Sequence, residues 1–309
     1  MAILQVEQLR KTFGNVVAVH EISFEVERGE VFTIIGPNGA GKTTTLEMIE
    51  GLQAPDKGSI TVNGLNWREH GEQIKQIIGV QPQSSALFEL LTVYENLDVF
   101  RSFYHKSREI NEILDLINLT EHRNKRVKTL SGGQKQRLAI GLAMASDPDI
   151  LFLDEPTTGL DPQARRNIWD IILKLKELGK TTILTTHYME EAEKLSDRVC
   201  IVDSGKIVAL DKPKALIQQL SKEREIVLSM IGGVEAASNV KAYLDGLSSV
   251  TRTEYEETAI HIWSVQPEET LYKLFQHTME QELAVDQISI KEMSLEDVFI
   301  AFTGKEWRD

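Results

Sequence analysis

Residues 36–43, Gly-Pro-Asn-Gly-Ala-Gly-Lys-Thr, constrain the fold of this chain more than any other stretch. They have the spacing of a phosphate-binding loop, in which a glycine and four further residues precede Gly-Lys-Thr. The apolar run at residues 31–35 predicts a buried strand before the loop, and residues 43–50 predict a helix after it. Glycines let the backbone turn its N–H groups toward an anion, and the helix start adds its dipole. The plain alternative is a glycine-rich turn between strand and helix.

Composition sets broad limits on the protein. The chain has 309 residues, of which 41% are hydrophobic and 26% charged, enough for a real core and about two domains. Cys200 is the only cysteine, which excludes an internal disulfide and a multi-cysteine metal site. No apolar run approaches the ~20 residues of a membrane-spanning helix, and the N-terminus lacks a signal-peptide pattern. We therefore expect a cytoplasmic protein that would depend on another chain to act across a membrane.

The negative charge is concentrated near the C-terminus. Residues 223–309 contain 17 acidic and 7 basic residues, a net charge of −10 out of −13 for the whole chain. Such a segment repels nucleic acid and anionic lipid, so no nucleic-acid partner is expected. A solvated surface that keeps the protein soluble is an equally good interpretation of the charge.

The first 220 residues show the pattern of an α/β domain. Alternation at residues 3–26 predicts an antiparallel hairpin or meander with Phe13 at its turn, where the ring either stacks on a base or packs on the hairpin. The wholly apolar run at residues 150–153 predicts a strand buried in a parallel sheet, and it ends in Asp154 and Glu155. A further strand at residues 181–186 ends at His187. Carboxyl ends of parallel strands are where ligands bind, which raises the interest of these three side chains.

A helical block is inserted between these strands. From residue 87 to residue 144 apolar residues recur at spacings of three and four, which predicts helices. Within the block, Leu130-Ser131-Gly132-Gly133-Gln134 precedes a helix at residues 135–145. Ser131 is a good N-cap, and the two glycines leave N–H groups free for an anion. Taken alone, this pattern is also that of an ordinary helix start.

The segment at residues 221–309 has a different order of predicted strands and helices. Its predicted order is strand, helix, strand, strand, helix, strand, which is the split βαβ arrangement of a small α+β domain, followed by a last helix that begins at Ser294. The segment has no cluster of cysteines, histidines or paired carboxylates of catalytic type. Regulation or docking is the expected role. The predicted ranges are 226–230, 235–247, 250–255, 259–265, 268–282, 284–290 and 294–302.

Together these motifs resemble the nucleotide-binding subunit of ABC transporters. The loop at residues 36–43, Gln83, the segment 130–134, the strand 150–156, Gly159-Leu160-Asp161 and His187 occur in that family's order. The resemblance implies a P-loop NTPase fold of the ABC type at residues 1–220, with an N-terminal antiparallel β subdomain and a helical subdomain at about residues 84–146. Residues 221–309 would form a ferredoxin-like accessory domain.

The resemblance also implies roles for individual residues. Phe13, where the family more often has Tyr, would stack on the adenine of ATP. Thr43, Gln83 and Asp154 would hold Mg²⁺, while Glu155 would act as the general base, aided by His187 and Lys42. The phosphates would be bound by the loop, namely Gly36, Pro37, Asn38, Gly39, Ala40, Gly41, Lys42, Thr43 and Thr44.

The resemblance further implies an assembly. In this family Ser131 and Gly133 bind the γ-phosphate of the ATP held by a second subunit, so the chain is expected to form a head-to-tail homodimer around two ATP molecules. Gly132 and Gln134 belong to the same ATP-binding segment, and Asp161 would contribute to the site and carry signals across the interface. A separate membrane permease would dock near Gln83–Glu89 and hold the protein at the inner face of the membrane. Substrate choice would lie in that permease.

The C-terminal end points to a subtype. Residues 294–304 are similar to the end of ATPases from drug-resistance and antibiotic exporters. The alternative is a non-transport ABC ATPase that acts on the ribosome or on nucleic acid. Such proteins join two ATPase units by a basic linker or insert a long coiled coil, and this sequence has neither. Co-purification with an integral membrane protein would distinguish the two.

Overall fold

A computed structural model describes residues 2–84, 87–220, 223–231, 233–256, 259–291 and 293–304. These residues divide into two compact units, one of residues 2–213 with 302–304 and one of residues 214–301. None of the helices in these ranges is both long enough and apolar enough to cross a bilayer.

The strands and helices alternate along the first two thirds of the chain. The strands are β1 (Ala2–Phe13), β2 (Val16–Glu27), β3 (Val31–Ile35), β4 (Lys57–Val62), β5 (Leu65–Asn66), β6 (Ile78–Gln81), β7 (Ile150–Asp154), β8 (Thr181–Thr186), β9 (Arg198–Asp203), β10 (Lys206–Asp211), β11 (Arg224–Ile231), β12 (Val250–Glu256), β13 (Ala259–Ser264) and β14 (Ala284–Lys291). The helices are α1 (Lys42–Ile49), α2 (Trp67–Ile77), α3 (Val93–Arg101), α4 (Ile110–Leu116), α5 (Gly132–Ala143), α6 (Pro162–Glu177), α7 (Met189–Leu195), α8 (Pro213–Leu220), α9 (Gly233–Leu244), α10 (Pro267–Glu280) and α11 (Leu295–Thr303).

The N-terminal hairpin belongs to an antiparallel sheet with the strand order β2-β1-β4-β5. Its alternating sequence buries one face, which includes Leu4 and Val6, as a period of two requires. Phe13 is the last residue of β1 and pairs with Val16 across the turn. The hairpin therefore presents Phe13 where the sequence predicts it.

The central sheet has the order β10-β9-β3-β8-β7-β6. Strand β3 runs parallel to β8 and β9, and β7 runs parallel to β8 and β6, while β10 pairs antiparallel with β9. Every residue of β3, β7 and β8 is buried, which explains their uniformly apolar or Thr-rich composition. Because these strands are parallel, the segments that follow β3, β6, β7 and β8 all leave from the same edge of the sheet.

The two faces of this sheet pack against different layers. Leu151, Leu153 and Leu184 join a core with the helices α3 to α6. Phe32 and Phe152 join a second core with the antiparallel sheet and α1, where Phe24 stacks on Phe32 with ring centroids 5.2 Å apart. The period of two along each strand thus divides its side chains between two layers.

The helical block is less continuous than its sequence predicts. The stretch at residues 87–91 has no helix, and α3 begins only after Thr92, whose side chain and that of Glu95 form a reciprocal capping box. Helix α5 begins at Gly132 and not at residue 135, because Ser131 already caps it. The capping residues decide where these helices start.

Three helices were not expected from the sequence. Helix α2 is kinked at His70 and fully buries only Ile74, although Trp67 and Ile77 recur with it at helical spacing and pack against the second core. Helix α7 has seven residues, which is too short for a periodic pattern. Helix α8 follows β10 after Lys212 and begins at Pro213.

The second unit has the expected split βαβ order. Its sheet is ordered β12-β13-β11-β14, with every neighbouring pair antiparallel. Ile226, Leu228, Ile260 and Ile262 of the central strands form a core with the helices α9 and α10. Helix α11 starts after Ser294, whose backbone N–H donates to Asp297 Oδ2 at 2.8 Å.

Candidate functional site

The loop between β3 and α1 needs its glycines for steric reasons. Gly39 and Gly41 have positive φ angles of 80° and 100°, which side-chain-bearing residues rarely adopt. A Cβ on Gly36 would lie 2.2 Å from the Val202 carbonyl oxygen, and one on Gly41 would lie 2.4 Å from that of Ala18. The loop can therefore follow this path, packed against the backbone at Val202 and Ala18, only with glycine at Gly36 and Gly41.

Lys42 bends back over this loop. Its Nζ donates to the Gly36 carbonyl at 2.8 Å and to the Pro37 carbonyl at 3.3 Å, and it lies 3.7 Å from Glu155 Oε1. Burial lowers the pKa of Lys42, and the nearby carboxylates of Glu155 and Asp154 oppose that shift. The ammonium group is thus held inside a ring of oxygen atoms at the start of α1.

Asp154 lies at the carboxyl end of β7 and is almost fully buried. Its Oδ1 accepts a short hydrogen bond from the Thr185 hydroxyl of β8. Burial raises the pKa of Asp154 and the charge of Glu155 adds to that, whereas the hydroxyls of Thr185 and Thr43 and the charge of Lys42 lower it. The carboxyl and the Thr43 hydroxyl together offer hard oxygen donors to a cation.

Glu155 adopts a left-handed backbone conformation with φ of 46°, directly after β7. Its backbone N–H donates to the Thr185 hydroxyl at 3.0 Å. Three side chains approach its Oε2: Gln83 Nε2 at 3.3 Å, Thr158 Oγ1 at 3.1 Å and His187 Nδ1 at 3.3 Å. The segments after β6, β7 and β8 therefore meet on one carboxylate oxygen.

A cavity of about 330 Å³ opens above this carboxylate. Phe13 borders it with 47% of its surface exposed, and Lys11 Nζ lies 5.5 Å from the centroid of the Phe13 ring. The cavity therefore combines one aromatic ring, the loop backbone and a cation. Its lining consists of Phe13, Ala18, Asn38, Gly39, Gly41, Lys42, Thr43, Thr44, Gln83 and Glu155.

Three further loop residues do not line the cavity but hold the loop in place through backbone hydrogen bonds. Gly36 and Pro37 contact Lys42 through their carbonyl groups, and the buried Ala40 donates its N–H to the Pro37 carbonyl at 3.1 Å. The whole loop is therefore held as one compact turn.

Besides Asp154, His187 and the three loop residues just described, five of the predicted residues are not among those that line this cavity. Ser131 caps α5, where Gln134 N donates to Ser131 Oγ at 3.3 Å and Ser131 N donates to Gln134 Oε1 at 2.9 Å. Gly133 lies against Ala164 of α6, since a Cβ on Gly133 would be 2.9 Å from the Ala164 Cβ. Asp161 caps α6 by accepting from Ala164 N at 2.9 Å. With Gly132, these residues form a second cluster where α5 and α6 begin.

Sequence reasoning missed two hydroxyls that shape the site. Thr185 contacts both Asp154 and the Glu155 backbone, and Thr158 contacts the Glu155 carboxylate. Thr185 could have been recognised because it lies in a strand predicted to be buried, and a buried hydroxyl needs a hydrogen-bond partner. Thr158 gave no comparable signal.

Comparison with known proteins agrees with this geometry. The family model described as ABC transporter matches residues 19–158. The linearmycin resistance ATP-binding protein LnrL of Bacillus subtilis is 36% identical over 312 residues, which cover 99% of this chain and all of that protein. The Nod factor export ATP-binding protein I of Rhizobium etli is 39% identical over 313 residues, 99% of this chain and 95% of that one.

Solved structures resemble the first part of the chain. One is cbiO1 from Clostridium perfringens, part of the ABC transporter complex cbiONQ, with a TM-score of 0.64 and 29% identity over 71% of this chain and 91% of that one. Another is an ATP-binding cassette in a dimeric post-hydrolysis state bound to ADP and Pi, with a TM-score of 0.61 and 28% identity over 68% of this chain and 98% of that one.

Proposed function

The chain belongs to the ATP-binding subunits of ABC transporters and is an ATPase, and from that premise we propose that two copies of it power a drug- or antibiotic-type exporter through a separate membrane permease. The names of its relatives support the direction of transport, since one is a resistance protein and others serve export.

In this proposal the cavity beside the loop holds ATP. The ring of Phe13 stacks on the adenine, since an exposed aromatic face suits a flat base. The loop N–H groups from Gly36 to Thr44 surround the phosphates, and the start of α1 adds its dipole. Lys42 exchanges its two carbonyl partners for phosphate oxygens, which are stronger acceptors because they are charged.

The donors at the base of the cavity fit Mg²⁺. Thr43, Asp154 and Gln83 supply hydroxyl, carboxylate and amide oxygens, which are the ligands this ion prefers. Asp154 is buried beside the Thr43 hydroxyl, so the pair can face a common ion. When bound, Mg²⁺ would neutralise charge on the phosphates.

Glu155 is the proposed general base, and its setting is the observation that carries this proposal. The left-handed turn and the contacts from Gln83, Thr158 and His187 fix the carboxylate at the edge of the cavity. A carboxylate held in this way can accept a proton from a water molecule, while His187 holds the water and the terminal phosphate in line. Lys42, 3.7 Å away, stabilises negative charge at the same point.

Replacement of the base tests this mechanism. Glu155→Gln keeps the shape of the side chain and removes its basicity, so we expect ATP binding to be retained and steady-state hydrolysis to slow by roughly 10²–10⁴-fold. Glu121→Gln, at an exposed position in the helical block, is the matched control and should hydrolyse ATP normally. Normal turnover by Glu155→Gln would remove Glu155 from the role of base.

A second copy of the chain is proposed to complete each site. Ser131, Gly132, Gly133, Gln134 and Asp161 are not among the residues that line the cavity of their own chain. The start of α5 nevertheless offers N–H groups that suit an anion. Head-to-tail pairing would bring this second cluster to the phosphate held by the other copy.

The permease is proposed to dock on the segment Gln83–Glu89, of which Ser85 and Ala86 lie outside the described residues. Phe88 of this segment forms an aromatic cluster with Phe103 and the half-buried Phe100. The ring centroid of Phe100 lies 6.3 Å from that of Phe88 and 6.0 Å from that of Phe103. Phe88 is 49% exposed and Phe103 66% exposed. Apolar patches of this kind are typical of protein interfaces.

A charge in this cluster tests the docking surface. Asn96 exchanges hydrogen bonds with the backbone N–H and carbonyl of Phe88, so a new side chain at residue 88 should leave the local fold intact. Phe88→Glu should preserve the ATPase activity of the isolated subunit and abolish its co-purification with the permease. Intact assembly and coupled transport would contradict this contact.

The remaining parts of the proposal concern organisation and place. We propose residues 1–220 as the ATPase domain and residues 221–309 as an accessory domain; a division of the chain into two compact units supports this, although that division falls between Pro213 and Lys214. Bound to its permease, the protein would lie at the cytoplasmic face of the membrane. No nucleic-acid partner is proposed, in keeping with the acidic C-terminal segment.

A further inference from the structure

A fully buried carboxyl lies close to the catalytic segments without contacting Glu155. Glu191 is 0% exposed and sits in the first turn of α7, four residues after His187. Its Oε1 accepts a hydrogen bond from the indole Nε1 of Trp169 on α6 at 2.8 Å. Among the described residues no lysine or arginine forms an ion pair with it. A buried carboxylate with no cation is costly, so the protonated form is favoured there.

The second oxygen of Glu191 shows what such a proton could do. Oε2 has no hydrogen-bond partner, and the buried hydroxyl of Thr157 also has none. Burial raises the pKa of Glu191, and the Thr186 hydroxyl, the Trp169 indole, the Thr157 hydroxyl and the charge of His187 oppose that shift, so both hydroxyls lie close to the carboxyl. A protonated Oε2 can donate to a neighbouring hydroxyl, which would satisfy both groups at once.

We propose that Glu191 is a positioning residue for ATP hydrolysis, whose buried carboxyl ties the helix after His187 to the loop after Glu155. Through Trp169 it also anchors this junction to α6. Glu191 touches neither the nucleotide cavity nor the reacting carboxylate.

The connectivity explains why this tie matters. Thr157 precedes Thr158, whose hydroxyl contacts Glu155 Oε2 at 3.1 Å, and Thr186 precedes His187, whose Nδ1 lies 3.3 Å from the same oxygen. Thr158 and His187, which contact Glu155 Oε2, are thus each the next residue in the chain after a threonine that lies near Glu191. A small displacement of either segment would move the base relative to its water, and misplacement by about 1 Å can reduce a rate by about 100-fold.

Packing alone does not call for a carboxyl at this position. Leucine has a similar volume and would fill the space without the cost of burying a polar group. What leucine cannot do is accept from Trp169 or bond to the two threonines. Glutamine retains the carbonyl oxygen for Trp169 and an amide for a hydroxyl, so it should replace the protonated acid.

The inference rests on the proposed roles of Glu155 and His187, and its test is a set of kinetic measurements on the full chain with Mg-ATP. For Glu191→Leu we expect kcat to fall by about 10- to 100-fold while KM for ATP changes by less than about threefold. Glu191→Gln should recover kcat to within about threefold of the unmodified chain. Glu190→Leu, at the preceding exposed position of α7, is the matched control and should be unaffected.

Two further variants keep the test decisive if Glu191→Leu does not fold. Thr157→Val and Trp169→Phe each remove one partner of the carboxyl, and each should lower kcat with KM for ATP unchanged. Thermal unfolding of all variants separates a loss of fold from a loss of positioning. Unchanged kcat in Thr157→Val and Trp169→Phe, or equal losses in Glu191→Gln and Glu191→Leu, would overturn the proposal.

Measuring Glu155→Gln in the same assay separates the positioning role of Glu191 from the proposed role of Glu155 as general base. If Glu155→Gln is inactive and the Glu191 series is not, the positioning role fails alone. If Glu155→Gln turns over normally, the proposed base is wrong.

Discussion

Single atoms decide whether the phosphate loop can form. Gly39 and Gly41 both have positive φ, but only Gly41 also lacks room for a side chain, because its Cβ would lie 2.4 Å from the Ala18 carbonyl oxygen. Nothing lies within 4 Å of a Cβ on Gly39. The two positions therefore separate backbone strain from steric overlap in one loop.

This difference predicts unequal effects of alanine. Gly39→Ala should cost about 1–2 kcal/mol of loop stability through its left-handed backbone alone. Gly41→Ala adds the overlap with the Ala18 carbonyl oxygen, which forces the loop to shift. Its affinity for ATP should therefore be lower than that of Gly39→Ala by at least about tenfold. Isothermal titration calorimetry with ATP measures the affinity of both variants. Equal affinities would show that the contact with Ala18 does not constrain the loop.

The end of α1 holds a second buried carboxyl with a measurable consequence. Glu50 is 6% exposed, and its Oε1 has no hydrogen-bond partner. Burial raises the pKa of Glu50 to about 8, and the negative charges of Asp154 and Glu47 add to the shift. It also sits at the C-terminal end of a helix, where a negative charge is unfavourable.

The raised pKa predicts how stability depends on pH. The folded state holds the Glu50 proton up to about pH 8, whereas the unfolded chain loses it near the ordinary value of 4.5, so Glu50 destabilises the fold increasingly as pH rises between these values. Glu50→Gln has no such ionisation. Its free energy of unfolding should therefore exceed that of the unmodified chain by a margin that grows from pH 4.5 to pH 8, up to a few kcal/mol, and then stays constant.

Urea unfolding at several pH values checks this prediction. Glu72→Gln, on the exposed face of α2, is the control and should show no growing margin. A constant difference for Glu50→Gln across the range would mean that the carboxyl is already ionised in the folded protein.

Elements with a strong local signal were predictable from the sequence. The strand β3, the loop and α1 follow from an apolar run, a glycine pattern and a helical period, and the rule for parallel sheets places the ends of β7 and β8 together. The order of the C-terminal strands and helices followed from period changes alone. Helix α7 was not predictable in this way because it has only seven residues, whereas Trp67, Ile74 and Ile77 give α2 a helical spacing that was available in the sequence.

The site was only partly predictable, for a physical reason. Residue types and order indicated Lys42, Asp154 and Glu155, but the contacts of Thr185 and Thr158 depend on register between strands distant in sequence. The same holds for Glu191, whose partner Trp169 lies on another helix. Such contacts become visible only when the sheet sets neighbouring segments side by side.

At the scale of the whole molecule, the proposed function makes this chain one half of a motor. Each chain carries a cavity with Lys42 and Glu155, and separately a cluster with Ser131, Gly133 and Asp161 at the starts of α5 and α6. In the proposed dimer two ATP molecules join these parts, so closure depends on ATP and opening depends on hydrolysis. The exposed Phe88 cluster would pass that motion to the permease.

The mass of the Glu155→Gln variant in solution shows directly whether two chains join around ATP. With ATP and Mg²⁺ it should sediment at twice the mass of one chain, because bound ATP is not consumed, and it should return to a single chain without nucleotide. Adding Ser131→Arg to the same variant should leave ATP binding intact and prevent the dimer. A Glu155→Gln chain that binds ATP and remains a monomer at saturating ATP would contradict the account.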